Sequence, residues 1–393
     1  MAAITAAEKG LASVLLLEAN SSPLDKVRIS GGGRCNVTNA CWEPNNLILN
    51  YPRGSRSLLG PFNKFASGDV VSWFYERGVS LITENDGRMF PSSNSSEEII
   101  SCLKTSAKKS GVNLQTKLLV KEIKFLEKNK FIIECNQDSS FYAKTVLLAT
   151  GSHPSGRKIA KKLGHQIVSP VPSLFSFKLN NKEIIKCSGN ALDNVDLKLI
   201  TTEKTFYERG RILITHWGLS GPALLRLSSF AAINLFNDKY KARLIVNWIN
   251  MDCAQAKALL EKNRSTLASK SLKTVNPFLN IPKKLWVFFL GELCINPSTR
   301  WSDLASRDAN KLISLLTASE YLVTGKGPFK DEFVTAGGID LNDIDLSTME
   351  SKIVKGLYFA GELLDVDGIT GGFNFQHCWT SGWLAGLALS KKT

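Results

Sequence analysis

Three consecutive glycines followed by an arginine, a cysteine and an asparagine mark Ser30-Gly31-Gly32-Gly33-Arg34-Cys35-Asn36-Val37-Thr38-Asn39 as a segment able to do chemistry. Glycines adopt positive φ and let a backbone approach a flat or phosphorylated ligand. Arg34 can pair with a phosphate, and successive amides can form an anion-binding nest. A flexible polar surface loop is the alternative. Cys35 has its nearest cysteine six positions on, at Cys41, so a small side chain packed near a ligand is expected rather than a redox thiol. A second cluster is Gly361-Glu362-Leu363-Leu364-Asp365-Val366-Asp367-Gly368-Ile369-Thr370-Gly371-Gly372-Phe373-Asn374. It follows a strand-like run and precedes an apolar helix, which puts glycines and amides at a helix N-terminus, suited to a polar or anionic ligand. Asp365-x-Asp367-Gly368 has the start of a calcium loop but not the bidentate Glu, so no metal is expected.

Glu18 ends the apolar run Val14-Leu15-Leu16-Leu17. In a dinucleotide-binding βαβ unit, an acid at the end of the second strand hydrogen-bonds the adenosine ribose. The phosphate loop G-x-G-x-x-G that should lead to such an acid is absent, and residues 1–9 read as part of a helix with Gly10 after it. Ala149-Thr150-Gly151 closes another buried strand and can carry the chain past a ligand where a side chain would clash. Thr215-His216-Trp217-Gly218-Leu219-Ser220-Gly221-Pro222 is not a nucleophile elbow, because Pro222 stands where the final glycine is needed. His216 reads as a structural histidine. His377, close to the second glycine cluster, is a candidate for ligand contact.

The elements that must position these residues follow from periodicity. Val14–Glu18 and Ala143–Ala149 are short buried strands of the parallel type. Residues 67–78 and Ser96–Gly111 are helices, the latter behind a serine-rich cap. Leu118–Phe125 and Lys130–Cys135 pair as strands. Residues 190–250 alternate apolar and polar side chains at strand spacing, and residues 252–320 turn helical. Leu357–Glu362 is again a strand, and Trp379–Ser390 a helix. A nucleotide-binding α/β pattern interrupted by a β-then-α insert accounts for this order.

Composition narrows the class. Apolar residues make up 44% and charged residues 21%, a globular profile. The apolar stretch Leu285–Ile295 is far short of the roughly 20 residues that span a bilayer. Eight scattered cysteines without a CxxC pair, and only four histidines, read as reduced thiols of a cytoplasmic protein. Forty-nine Lys and Arg against 35 Asp and Glu give +14, a balance that favours anionic partners.

Ser30–Asn39, Val334-Thr335-Ala336-Gly337-Gly338, Thr348-Met349-Glu350-Ser351-Lys352 and the run from Gly356 through Asn374 together resemble the BaiN-like family of bacterial flavoproteins. Its members are NAD(P)/FAD-dependent oxidoreductases, also called aminoacetone-oxidase-family FAD-binding enzymes. The resemblance covers essentially the whole chain. It implies an α/β fold with a glutathione-reductase-type, Rossmann-like FAD-binding domain, interrupted by an insert with a β-barrel part and a helical part. The expected divisions are 1–187 for the first part of the FAD domain, 188–333 for the insert and 334–393 for the second part. The family's opening strand and phosphate loop would precede Met1, so the first part is expected to be N-terminally truncated. By the same resemblance Glu18 would bind the adenosine ribose. Gly31, Gly32, Gly33, Arg34, Cys35 and Asn36 would lie along the pyrophosphate and flavin. Ala149, Thr150 and Gly151 would pass the cofactor. Gly361 and Glu362 would approach the ribityl chain, and Gly371, Gly372, Phe373 and Asn374 the isoalloxazine.

The expected activity is hydride transfer between FAD and a small organic substrate, with NAD(P)H as electron donor. No separate second nucleotide motif is present, and no catalytic acid or base is assigned. An RNA-directed flavoprotein or nucleic-acid-binding protein is the alternative that the charge suggests, although no dense basic stretch is interleaved with aromatics. A non-catalytic remnant is the third.

Overall fold

A computed structural model describes residues 1–10, 13–126, 130–328 and 334–391. The chain forms two compact units, Met1–Pro170 with Thr335–Thr393, and Val171–Val334. The sequence placed its divisions at 187/188 and 333/334; position 333 and residues 392–393 lie outside the described residues.

In the first unit, the N-terminal helix Ala2–Glu8 ends at Lys9 and is followed by Gly10 at φ +100°. It packs on the C-terminal helix Phe373–Ser390, where the absent side chain of Gly386 lets the backbones meet. Leu15–Leu17 pairs in parallel with Asn113–Gln115, and the ladder extends through Glu18 N to Gln115 O at 2.8 Å. The sequence read this strand as buried. Its one hydrogen-bonded neighbour among the described residues covers one edge, and Leu15 remains 38% exposed. Val146–Leu148 pairs in parallel with Leu357–Phe359, which continues through Glu350–Ser351 to Ile344–Asp345. Val120–Leu126, Lys130–Cys135 and Ser140–Ala143 form an antiparallel meander, as the paired-strand reading expects. The helices Ser67–Tyr75 and Ser96–Lys109 fall where periodicity puts them. Thr38–Asn39, at the end of the first glycine cluster, is tied to Arg88–Pro91.

The second unit is a closed six-stranded antiparallel barrel with helices inserted before its last strand. Its strands are Phe177–Leu179, Ala191–Ile200, Thr205–Thr215, Gly218–Ser220, Ala242–Asn247 and Ser319–Lys326. The helices Cys253–Thr266, Lys283–Glu292 and Ser306–Ala318 fill the span read as helical. One core joins barrel and helices around Trp248, Trp286, Phe289 and Trp301. The Thr215–Pro222 segment is a barrel corner. A Cβ on Gly218 would stand 2.2 Å from Phe177 O, and one on Gly221 2.8 Å from Ile212 Cα. These glycines serve strand closure, and His216 rests its Nδ1 on Ser188 Oγ at 3.1 Å. No described helix is long and apolar enough to cross a membrane.

Candidate functional site

The first glycine cluster is a left-handed turn. A short helix opens at Asp25 and loses helical geometry at Ser30. Gly31, Gly32, Gly33 and Cys35 all have positive φ, at 58°, 69°, 84° and 61°. Cys35 N donates to Ser30 O at 2.9 Å and closes the loop. Gly31 is required by space as well, since a Cβ there would lie 2.9 Å from Asn36 N. Gly32 and Gly33 face open space and present bare backbone. Cys35 is fully buried, and burial pushes its thiol up to about 11, so it stays protonated and packs as a small apolar group. Arg34 bonds Glu84 at 2.8 Å and lies 3.9 Å over the Phe90 ring. Its charge is spent on bracing the loop.

The second cluster lies directly against the first, although more than 300 residues separate them. With the Asn36 amide oriented by its neighbours, so that nitrogen faces the Thr38 carbonyl and oxygen the Gly372 N–H, it donates to Thr38 O at 3.0 Å and accepts from Gly372 N at 2.9 Å. Asn39 Nδ2 donates to Gly371 O at 3.0 Å, and Thr38 Oγ1 donates to Gln376 Oε1 at 2.5 Å. Gly372 has φ +96°, and a Cβ there would sit 2.4 Å from Thr38 O. The 18-residue C-terminal helix starts at this junction, and its first turn offers backbone N–H groups without helical partners. The helix begins at Phe373, six residues before the sequence reading placed it. Phe373 is buried and its carbonyl accepts from Tyr51 Oη at 2.6 Å. Asn374 bonds both the N–H and the carbonyl of Gly368, at 2.8 and 2.9 Å. Asp367 is fully buried in an ion pair with Arg53, which occupies the side chain that a calcium loop would need.

A third junction joins the strand ends. Ala360 N donates to Leu148 O at 3.1 Å, so Ala149-Thr150-Gly151 and Gly361-Glu362 emerge side by side. Ala149 and Thr150 are exposed, and Gly151 has φ +60°. Lys26, which sequence reading missed, reaches both strand ends. Its Nζ donates to Ser152 Oγ at 3.0 Å and pairs with Glu362 Oε2. The other oxygen, Glu362 Oε1, accepts from Thr335 N at 3.3 Å. Gly361 is pinned to the C-terminal helix by Ser381 Oγ at 3.0 Å and by His377 Nε2 at 3.2 Å. Burial drives His377 down to about 4, so it is neutral at physiological pH. Cys378, 3.2 Å from where a Gly361 Cβ would be, is pushed up to about 12 by burial and then by Glu362. Glu18 Oε1 accepts from Asn20 N at 2.8 Å, and Asn20 reaches Asp25 Oδ2 at 3.5 Å, next to Lys26.

Buried polar atoms without a hydrogen-bond partner among the described residues include Arg157 Nη1, Asp365 Oδ1 and His377 Nδ1. All three belong to segments that flank these junctions. Such atoms are costly unless a ligand or water satisfies them. Bare glycine backbone, a helix N-terminus, a reachable ammonium and orphaned polar atoms together suit a flat, phosphorylated cofactor such as FAD. Among the described residues no His, Cys, Asp and Glu cluster could hold a metal.

The family model of the HI0933-like protein Rossmann domain matches residues 1–388. The chain belongs to this family. HI0933-like proteins include FAD-dependent oxidoreductases, in accord with the BaiN-like resemblance. The chain is 30% identical over 385 residues to the ribosomal RNA dihydrouridine synthase of Escherichia coli (strain K12), covering 94% of this chain and 90% of that protein. It is 28% identical over 404 residues to the 3-dehydro-bile acid delta(4,6)-reductase of Clostridium scindens, covering 100% and 96%. The 3-ketosteroid-delta4-(5alpha)-dehydrogenase of Rhodococcus jostii RHA1 shares the fold, with a TM-score of 0.50 at 13% identity over 100% of this chain and 94% of that one. The Rossmann-like FAD-binding fold with a barrel in its insert is therefore as the sequence implied.

Proposed function

We propose that this HI0933-like protein uses FAD to saturate a carbon–carbon double bond conjugated to a carbonyl in a small organic substrate, with NAD(P)H restoring the electrons. The observation that carries the proposal is the meeting of both glycine clusters and both strand ends at adjoining junctions, where Gly32 and Gly33 face open space and Ala149 and Thr150 are exposed. The names of the two relatives supply the reaction class. A dihydrouridine synthase and a delta(4,6)-reductase both remove a C=C bond, and in uracil and in a 3-keto steroid that bond is conjugated to a carbonyl.

FAD, when bound, supplies the hydride. The protein's part is placement. Gly32 and Gly33 offer main-chain amides where a side chain would bar approach. Gly371 and Gly372 bring the start of the C-terminal helix, with its positive dipole end, up to the Thr38–Asn39 strand. Gly361 and Glu362 are held by the helix and by Lys26, so the carboxylate has a fixed position from which to accept a hydroxyl. Burial holds Cys35 and Cys378 as protonated thiols. Eight free cysteines support work in a reducing cytoplasm.

Anaerobic mixing of the pre-reduced protein with a 4-en-3-one steroid or cyclohexenone tests this. Flavin reoxidation with formation of the saturated ketone is expected; reoxidation only by oxygen contradicts it. A second reading, with a uridine in RNA as the substrate, is favoured by one observation. Residues 171–334 carry 23 Lys and Arg against 14 Asp and Glu, so the insert holds most of the excess positive charge.

A further inference from the structure

We propose that Lys26 is the cation that receives the phosphates of the dinucleotide cofactor while it keeps its pair with Glu362. The assignment presupposes that the chain binds FAD, as proposed. Lys26 projects from the helix that opens at Asp25 and leads into Gly31–Gly33. Its Nζ meets Ser152 beside Gly151 and Glu362 beside Gly361. It also lies 3.5 Å from the position a Gly151 Cβ would take. One ammonium thus sits where three glycine-bearing segments converge. An ammonium has three donors. Two are used by Ser152 and Glu362, and the third has no protein acceptor among the described residues.

Exposure sets the order of the layers. The Lys26 side chain is 63% exposed and that of Glu362 is 18%, so the ammonium stands on the solvent side of the carboxylate. A dianionic pyrophosphate arriving at this junction without Lys26 would meet the Glu362 charge directly. With Lys26 between them, the repulsion becomes an attraction that both anions share. Arg34, the cation that the sequence offered for a phosphate, is engaged by Glu84 and stacked on Phe90. Arg157, in the first turn of the helix that follows Gly151, has a buried Nη1 with no hydrogen-bond partner among the described residues. It is a buried donor open to a ligand in the segment that follows the Gly151 turn.

The test is titration of the full 393-residue chain with FAD and with riboflavin, which lacks phosphate, followed by flavin fluorescence. Lys26→Met should raise the Kd for FAD about tenfold or more, as loss of a charge-assisted bond does. The Kd for riboflavin should stay within about twofold. Lys26→Arg should keep most of the FAD affinity. An equal loss for FAD and riboflavin, or no loss for either, overturns the proposal. A parent protein that takes up neither flavin overturns the FAD reading itself, whereas a parent that binds FAD as tightly as Lys26→Met overturns only the role of Lys26. A readout independent of any substitution is lysine acylation mapped by mass spectrometry. Inorganic pyrophosphate and FAD should protect Lys26 of the parent and riboflavin should not; modification unchanged by FAD contradicts the proposal.

Discussion

Gly372 shows what a single missing side chain does here. Its φ of +96° is strained for any L side chain, and a Cβ would stand 2.4 Å from Thr38 O. Gly372→Ala should therefore cost about 2–4 kcal/mol, read as a lower urea midpoint with an unchanged slope. A midpoint equal to the parent's would mean that the two glycine clusters do not pack as described. Asp365 works in the opposite sense. Burial first, and then the neighbouring Asp367 charge, raise its carboxyl above the ordinary value of 3.8, against a smaller pull from Arg53. A carboxyl whose folded pKa is raised costs nothing below its unfolded pKa, and the cost grows as pH rises through the folded value. Asp365→Asn should thus stabilise the protein at neutral pH, and the gain should shrink towards zero near pH 3.8. A gain in melting temperature that is largest in acid would contradict this. Glycine positions were legible in the sequence because no other residue type does their work. Lys26 was not, because a lysine beside Asp25 and Arg28 differs in nothing from a solvated surface charge until the fold brings Ser152 and Glu362 to it.

Elements were read well where one periodicity dominated, as in Ser96–Lys109 and in the meander from Val120 to Ala143. The C-terminal helix was read too short because its first turn carries the glycine cluster's polar residues. Yet Gly372 in the left-handed region starts the helix directly at Phe373. The apolar run before Glu18 promised a buried strand, but burial depends on neighbours that no local pattern specifies. The barrel's outer members show the same limit. Phe177–Leu179 precedes the alternating stretch and Ser319–Lys326 follows the helices, so their pairing is non-local. The contact of the terminal helices is open to test. A Cβ on Gly386 would lie 2.7 Å from Ala2 O and 2.7 Å from Thr5 Cβ. Gly386→Ala should separate the helices and cost about 1–3 kcal/mol, measured as a lower melting temperature. An unaffected melting temperature would show that the N-terminal helix is not held there.

At the scale of the whole molecule, charge and cofactor separate the candidate functions. The formal charge of +14 is concentrated in residues 171–334, whose excess is nine. If RNA is the substrate, affinity for a structured ribosomal RNA fragment should fall about tenfold or more between 50 and 200 mM salt. A shallow salt dependence removes the RNA reading and leaves the small-molecule one. Both readings need flavin, and so does the role given to Lys26. The most direct measurement is the visible absorption spectrum of the purified 393-residue protein before and after addition of FAD and gel filtration. Bound flavin, with bands near about 370 and 450 nm that bleach under a reductant, is the predicted result. A protein that emerges colourless from FAD at saturating concentration would contradict the account.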